Sequence, residues 1–115
     1  MIKQQKKDKT YDWWASNLMY MTGKKSPVQA LDVLLQLNGR NLHSELVKQD
    51  VLILTGEQDH FCRPKMHEMQ IKALTDAKSI TGRIFTRDEE AQNHCQIGNI
   101  GLALKEIIEW IEQKT

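Results

Sequence analysis

The chain has 115 residues, 40% of them hydrophobic and 27% charged, with six Gly and two Pro. That length and balance fit one soluble globular domain and exclude global disorder or a fibrous repeat. Sixteen Lys and Arg against fifteen Asp and Glu leave a net charge of +1, so bulk electrostatics call for neither nucleic acid nor anionic lipid.

The charge is unevenly placed. Residues 1–25 hold six Lys and two Asp, and the remainder holds ten bases against thirteen acids. Residues 1–10, Lys-rich and without an interleaved aromatic, fit a solvated, flexible terminus. The chain shows no secretory signal, no stretch long enough to span a bilayer, and two cysteines. These features point to a cytoplasmic, reducing setting with free thiols.

From Tyr11 to Met21 the spacing of Trp14, Leu18 and Met21 predicts a helix, stopped by Gly23 and the lysines after it. Ser26-Pro27 opens a second, with Val28, Leu31, Leu34 and Leu35 as its apolar stripe and an end near Asn38-Gly39. A short helical turn over 41–48 completes a helical segment spanning 11–50. Trp13, Trp14, Met19, Tyr20 and Met21 exceed what one helix face can bury, which favours a lid or an interface over simple core packing.

The pattern changes at Val51. Val51 to Leu54 is a continuous apolar run between Asp50 and Gly56, the signature of a parallel strand buried on both faces. Pro64 to about Leu74 predicts a helix with Met66, Met69 and Ala73 on its apolar side, widened by Ile71 and Leu74. Ser79 to Thr86 is β-branched and predicts a second strand, with Gly82 as a bulge. Asp88 to Glu90 is a polar loop, and Leu104, Ile107, Ile108 and Ile111 mark a last helix over 99–113 capped by Asn99. Residues 51–115 therefore form a β-α-β-α unit with parallel strands, and the fold class is α/β.

Sites in open parallel sheets lie beyond the carboxyl ends of the strands. Here those loops offer Gly56, Glu57, Asp59 and His60 from the first strand and Glu89, Glu90, His94 and Cys95 from the second. Asp59 and His94 are the pair suited to acid–base work, the carboxylate holding one ring nitrogen while the other acts as base. Taken alone, Asp59 also fits a loop cap that binds backbone amides, and His94 an ordinary surface histidine. His43 and His67 read as surface residues of helices. His60, Cys62, His94 and Cys95 carry zinc-type ligands, but the His-x-Cys and His-Cys spacings are unlike structural sites, and neither metal nor cofactor is expected. Cys62 or Cys95 could serve as a nucleophile beside His94; a cysteine next to an apolar strand end is more commonly a small buried hydrophobe.

Leu54-Thr55-Gly56-Glu57-Gln58-Asp59-His60-Phe61, with Pro64 soon after, resembles the strand-end acid motif of α/β-hydrolases. Asn93-His94-Cys95-Gln96 before the last helix resembles their terminal histidine loop. The resemblance covers roughly Asp50 to Glu112 and implies a partial α/β-hydrolase fold, with Asp59 as triad acid, His94 as triad base, and the helical first half as a cap or lid. Missing is the nucleophile elbow: Ser16, Ser26, Ser44 and Ser79 all lie outside any Gly-x-Ser-x-Gly. The resemblance thus implies the C-terminal portion of an ester- or amide-cleaving enzyme, inactive alone, with a small-molecule substrate once completed. The expected partner is a complementary chain bearing the nucleophile or a second copy in a homo-oligomer, because the strand at Val51 lacks its upstream neighbour. Neither nucleic acid nor membrane is expected.

Overall fold

The computed structural model describes residues 9–115. The basic segment over 1–8 lies outside the described residues, and Lys9 and Thr10 already belong to a helix. The described residues form two compact units, divided between Leu42 and His43, and are mixed α and β as expected.

The first unit pairs helices α1 (Lys9–Thr22) and α2 (Pro27–Leu35). Ser26 caps α2, its Oγ accepting from Gln29 N at 3.3 Å, and Pro27 occupies the first turn. The helix stops three residues before the predicted Asn38, because the Asn38 side chain turns back to donate to Leu35 O at 2.8 Å. The inward faces match those expected only in part. In α1 Leu18 is buried as expected, joined by Ala15, while Trp14 and Met21 stay exposed; in α2 Ala30 is buried, while Val28, Leu31 and Leu35 are exposed.

The second unit begins with a 3₁₀ turn, Ser44–Leu46, and then strand β1 (Asp50–Gly56), helix α3 (Pro64–Ala73), strand β2 (Ser79–Phe85) and helix α4 (Ile100–Lys114). The strands pair in parallel over their full length, Asp50 opposite Ser79 and Gly56 opposite Phe85. Side chains alternate between the two faces, and each face takes one helix. On one face Thr81, Arg83 and Phe85 meet α4 through a Trp110 Nε1 hydrogen bond to Thr81 (3.0 Å), an Arg83 bond to Glu106 (3.2 Å), and a small core of Phe85, Ala91 and Ala103 extended by Leu54 and Leu102. On the other face, Thr55 and Gly82 meet α3.

Gly82 is not a bulge, since the register runs unbroken through it. It is a close-approach glycine: a Cβ there would stand 2.6 Å from His67 Nε2 and 2.9 Å from Ile71 Cδ1. His67 is correspondingly buried, not a surface residue, and its Nδ1 is 2.9 Å from Thr55 Oγ1. With the imidazole seated, α3 buries His67, while Met66, Met69 and Ala73 are exposed; of the expected stripe, Ile71 is half-buried and Leu74 is buried. In α4 Ala103 is buried, while Ile100, Leu104, Ile108 and Ile111 are exposed. Asn99 caps that helix as expected, accepting from Leu102 N at 3.2 Å.

Val51 to Leu54 are half-buried rather than enclosed. Each face of the pair carries a single helix, and the sheet has only two strands, so neither strand has a neighbour on its outer edge among the described residues. Among them, no helix is long and apolar enough to cross a membrane.

Candidate functional site

β1 ends at Gly56 and β2 at Phe85, so the loops that follow emerge side by side. Three contacts tie them together: Glu57 N donates to Phe85 O (2.9 Å), Gln58 N to Gln92 O (2.9 Å), and Arg87 N to Glu57 Oε1 (2.7 Å). Gly56 permits this. A Cβ at that position would fall 2.2 Å from Gln92 O and 2.7 Å from Asn93 O, both backbone atoms.

Asp59 sits at the centre, 5% exposed. Its Oδ1 accepts from Phe61 N at 2.8 Å and Cys62 N at 2.9 Å, and its Oδ2 is 2.9 Å from His94 Nδ1. The loop-cap geometry and the His-holding geometry therefore coexist, one oxygen for each. Burial pushes the carboxyl up, but hydrogen bonds from the Cys62 amide, the His94 ring and the Phe61 amide outweigh it and hold Asp59 below its ordinary value. An ionised Asp59 accepts from an Nδ1–H and leaves Nε2 without a proton in the neutral ring, the tautomer a general base requires.

His94 is carried by a 3₁₀ turn, His94–Gln96, and is partly open, with 40% of its side chain exposed. The Phe61 ring lies 4.8 Å from it, centroid to centroid, and the His60 ring, tilted against Phe61 at 4.1 Å, is 6.5 Å from His94. The two residues after His94, Cys95 (φ 54°) and Gln96 (φ 51°), are both left-handed, a conformation costing about 1–2 kcal/mol per non-glycine residue. Gln96 is buried and its N–H is tied to Asn93 O at 3.0 Å, so the surrounding structure enforces the bend that turns the chain at the histidine. Strain of this kind collects at functional sites.

The remaining loop acids have other work. Glu89 bonds Arg83, and its second oxygen accepts from Thr86 N at 2.9 Å. The Arg83 guanidinium, then the Thr86 amide, bring the Glu89 carboxyl down to about 2. Arg83 in turn lies over Phe85 at 4.6 Å, so this cluster braces the start of the His94 loop from outside the site. Glu57 joins the two loops, and Glu90 takes a left-handed turn (φ 57°).

His60, Cys62, His94 and Cys95, the zinc-type side chains weighed and set aside in the sequence, are not gathered as a set. Cys62 joins Asp59 and His94 instead, with one donor atom of each lying within 4.8 Å of the others. Both cysteines are free and exposed, not buried hydrophobes, because Cys62 and Cys95 fall on the strand-end loops and not under the sheet. Phe61 beside His94 was not singled out by sequence reasoning; its place two residues after the acid was the available signal. No protein-family model, curated protein or solved structure matches the chain, and the site is understood from its own geometry.

Proposed function

We propose that residues 43–115 are the acid-and-base portion of an α/β-hydrolase, with Asp59 orienting His94 and His94 moving the proton for a nucleophile supplied from outside these 115 residues. One observation carries the reading: a buried carboxylate held 2.9 Å from an imidazole nitrogen, each presented from the carboxyl end of one of two adjacent parallel strands. In a completed site the hydroxyl nucleophile attacks an ester or amide carbonyl, His94 Nε2 accepts its proton and then protonates the leaving group, and Asp59 stabilises the imidazolium. Without a nucleophile and its oxyanion donors the chain alone is inactive by this route.

The test has two arms. The purified 115-residue chain should hydrolyse no small aryl ester above background; hydrolysis lost on His94→Ala would overturn the claim of inactivity. A longer protein, extended by the upstream coding sequence and carrying a Gly-x-Ser-x-Gly, should hydrolyse such esters and lose that activity on His94→Ala. Activity indifferent to His94 would sink the reading.

A second reading, a non-catalytic module that self-associates, is favoured by the outer edge of β1, unpaired among the described residues, together with the exposed stripe Ile100, Leu104, Ile108 and Ile111 on α4. Parallel strands are ordinarily enclosed, and a two-strand sheet is marginal on its own. Light scattering at micromolar concentration should then show a homodimer or larger species; a stable monomer rules it out.

A further inference from the structure

Asp59, Cys62 and His94 offer a carboxylate oxygen, a thiol sulfur and an imidazole nitrogen, all within 4.8 Å of one another. Asp59 and Cys62 lie three residues apart on one short loop, and the Cys62 amide donates to Asp59 Oδ1 at 2.9 Å, which fixes where the Cys62 side chain begins. The third is held against the same carboxylate. We propose that these three residues form a binding site for Zn²⁺, which draws on the same Asp59 and His94 side chains as the acid–base reading and, when occupied, competes with it.

The donor set selects the metal. Thiolate and imidazole favour a borderline-soft ion over Mg²⁺ or Ca²⁺, which take oxygen ligands. With bonds of 2.0–2.3 Å, tetrahedral Zn²⁺ needs its donors about 3.5 Å apart. Asp59 Oδ2 and His94 Nδ1 are 2.9 Å apart, and a Cys62 donor within 4.8 Å of both residues, on an exposed side chain, can move inward by rotation to reach that spacing. Binding deprotonates the thiol and releases one proton to solvent, while the ring proton of His94 is carried by whichever nitrogen does not face the metal. Three protein ligands leave a fourth position for water or a small anionic ligand, the composition of an open rather than a closed zinc site. Cys95, on the strained turn beside His94, is outside the cluster and serves as the internal control.

Tag-free protein, stripped with chelator and titrated with Co²⁺, reads the site directly, since a thiolate ligand adds a sulfur-to-cobalt charge-transfer absorption in the near ultraviolet. One equivalent of Co²⁺ should produce that band, and one equivalent of Zn²⁺ should abolish it by displacement. Cys62→Ser should remove the band, Cys95→Ser should keep it, and His94→Gln should weaken binding by about a hundredfold or more, at least the loss seen when even an outer partner of a metal ligand is removed. Both cysteine variants alter exposed side chains, and far-UV circular dichroism verifies that they fold. No charge-transfer band at stoichiometric Co²⁺, a band that survives Cys62→Ser, or a band lost in Cys95→Ser overturns the proposal. Because the readout is spectroscopic, its failure leaves the hydrolase reading standing, and the absence of esterase activity in an extended protein leaves the metal site standing.

Discussion

Gly56→Ala should lower stability by about 3 kcal/mol, the upper part of the range for forcing a carbon into a packed site, and should separate His94 from Asp59. The added Cβ meets backbone on the facing loop, Gln92 O at 2.2 Å and Gln92 C at 2.5 Å. Backbone cannot swing away as a side-chain tip can. Either β1 withdraws from β2 at its last pair, Gly56 opposite Phe85, or the 92–93 segment lifts off and breaks the Gln58 N to Gln92 O bond. Both movements displace the turn that holds His94. The checks are the urea midpoint and the imidazole N–H resonance, which a carboxylate partner shifts downfield in the parent protein and which the variant should lose. Gly39→Ala, where the new carbon meets nothing within 4 Å, is the control and should stay within about 0.5 kcal/mol. A Gly56→Ala protein of parental stability with the resonance intact would show that the two loops are not pressed together as described.

The strand-end arrangement was legible from residues 51–96 because its determinants are local. An apolar run ended by Gly, a β-branched run, and an Asp and a His just beyond them place the pair once the strands are taken as parallel neighbours. Caps were legible for a similar reason: Ser26-Pro27 and Asn99 act on backbone amides two or three residues away. The helix faces were only partly legible. Leu18 and Leu74 were on the expected faces and are buried, but the bulkiest side chains assigned with them stay outside, and Ala15, Ala30, His67 and Ala103 are buried in their place. His67 shows why. Its burial depends on a missing side chain at Gly82 and a hydroxyl at Thr55, which lie fifteen residues after it and twelve before it, and no periodicity within α3 encodes them.

The exposed apolar faces and the site bear on one another. Phe85 is the one large side chain fully enclosed among the described residues, so the unit carrying the site has a small core relative to its apolar content. A two-strand parallel sheet with one helix per face has the layering of an α/β domain but not its width. The precision of the Asp59 and His94 pair therefore rests less on a large core than on local bonds: the glycine contact at Gly56, the Glu57 bridge to Arg87, and the Arg83–Glu89 brace. Additional strands along the edge of β1 would enlarge the core without altering any of these contacts.

Asp59→Asn separates the two geometries that meet at this carboxyl. The amide retains an oxygen for the Phe61 and Cys62 N–H groups, 2.8 and 2.9 Å away in the parent, so the loop should survive at a cost of about 1–2 kcal/mol, the scale of one weakened buried hydrogen bond. Its NH₂, turned toward His94, can only donate. That forces His94 Nδ1 to accept and moves the ring proton to Nε2, where a base needs a lone pair. In an extended protein bearing the nucleophile, turnover should consequently fall about ten-thousandfold, the loss found when the same exchange is made in serine proteases of known mechanism. Asp59→Ala should be worse for the fold, by about 3 kcal/mol, since it strands two backbone donors and the imidazole together. A stability loss that is small for Asn and large for Ala, with activity lost in both, marks Asp59 as the group that sets the His94 tautomer; activity within tenfold of the parent in Asp59→Asn would reduce it to a loop cap. The split matters because urea unfolding alone cannot distinguish the two roles, whereas the amide keeps the cap and removes only the charge and the acceptor facing the histidine.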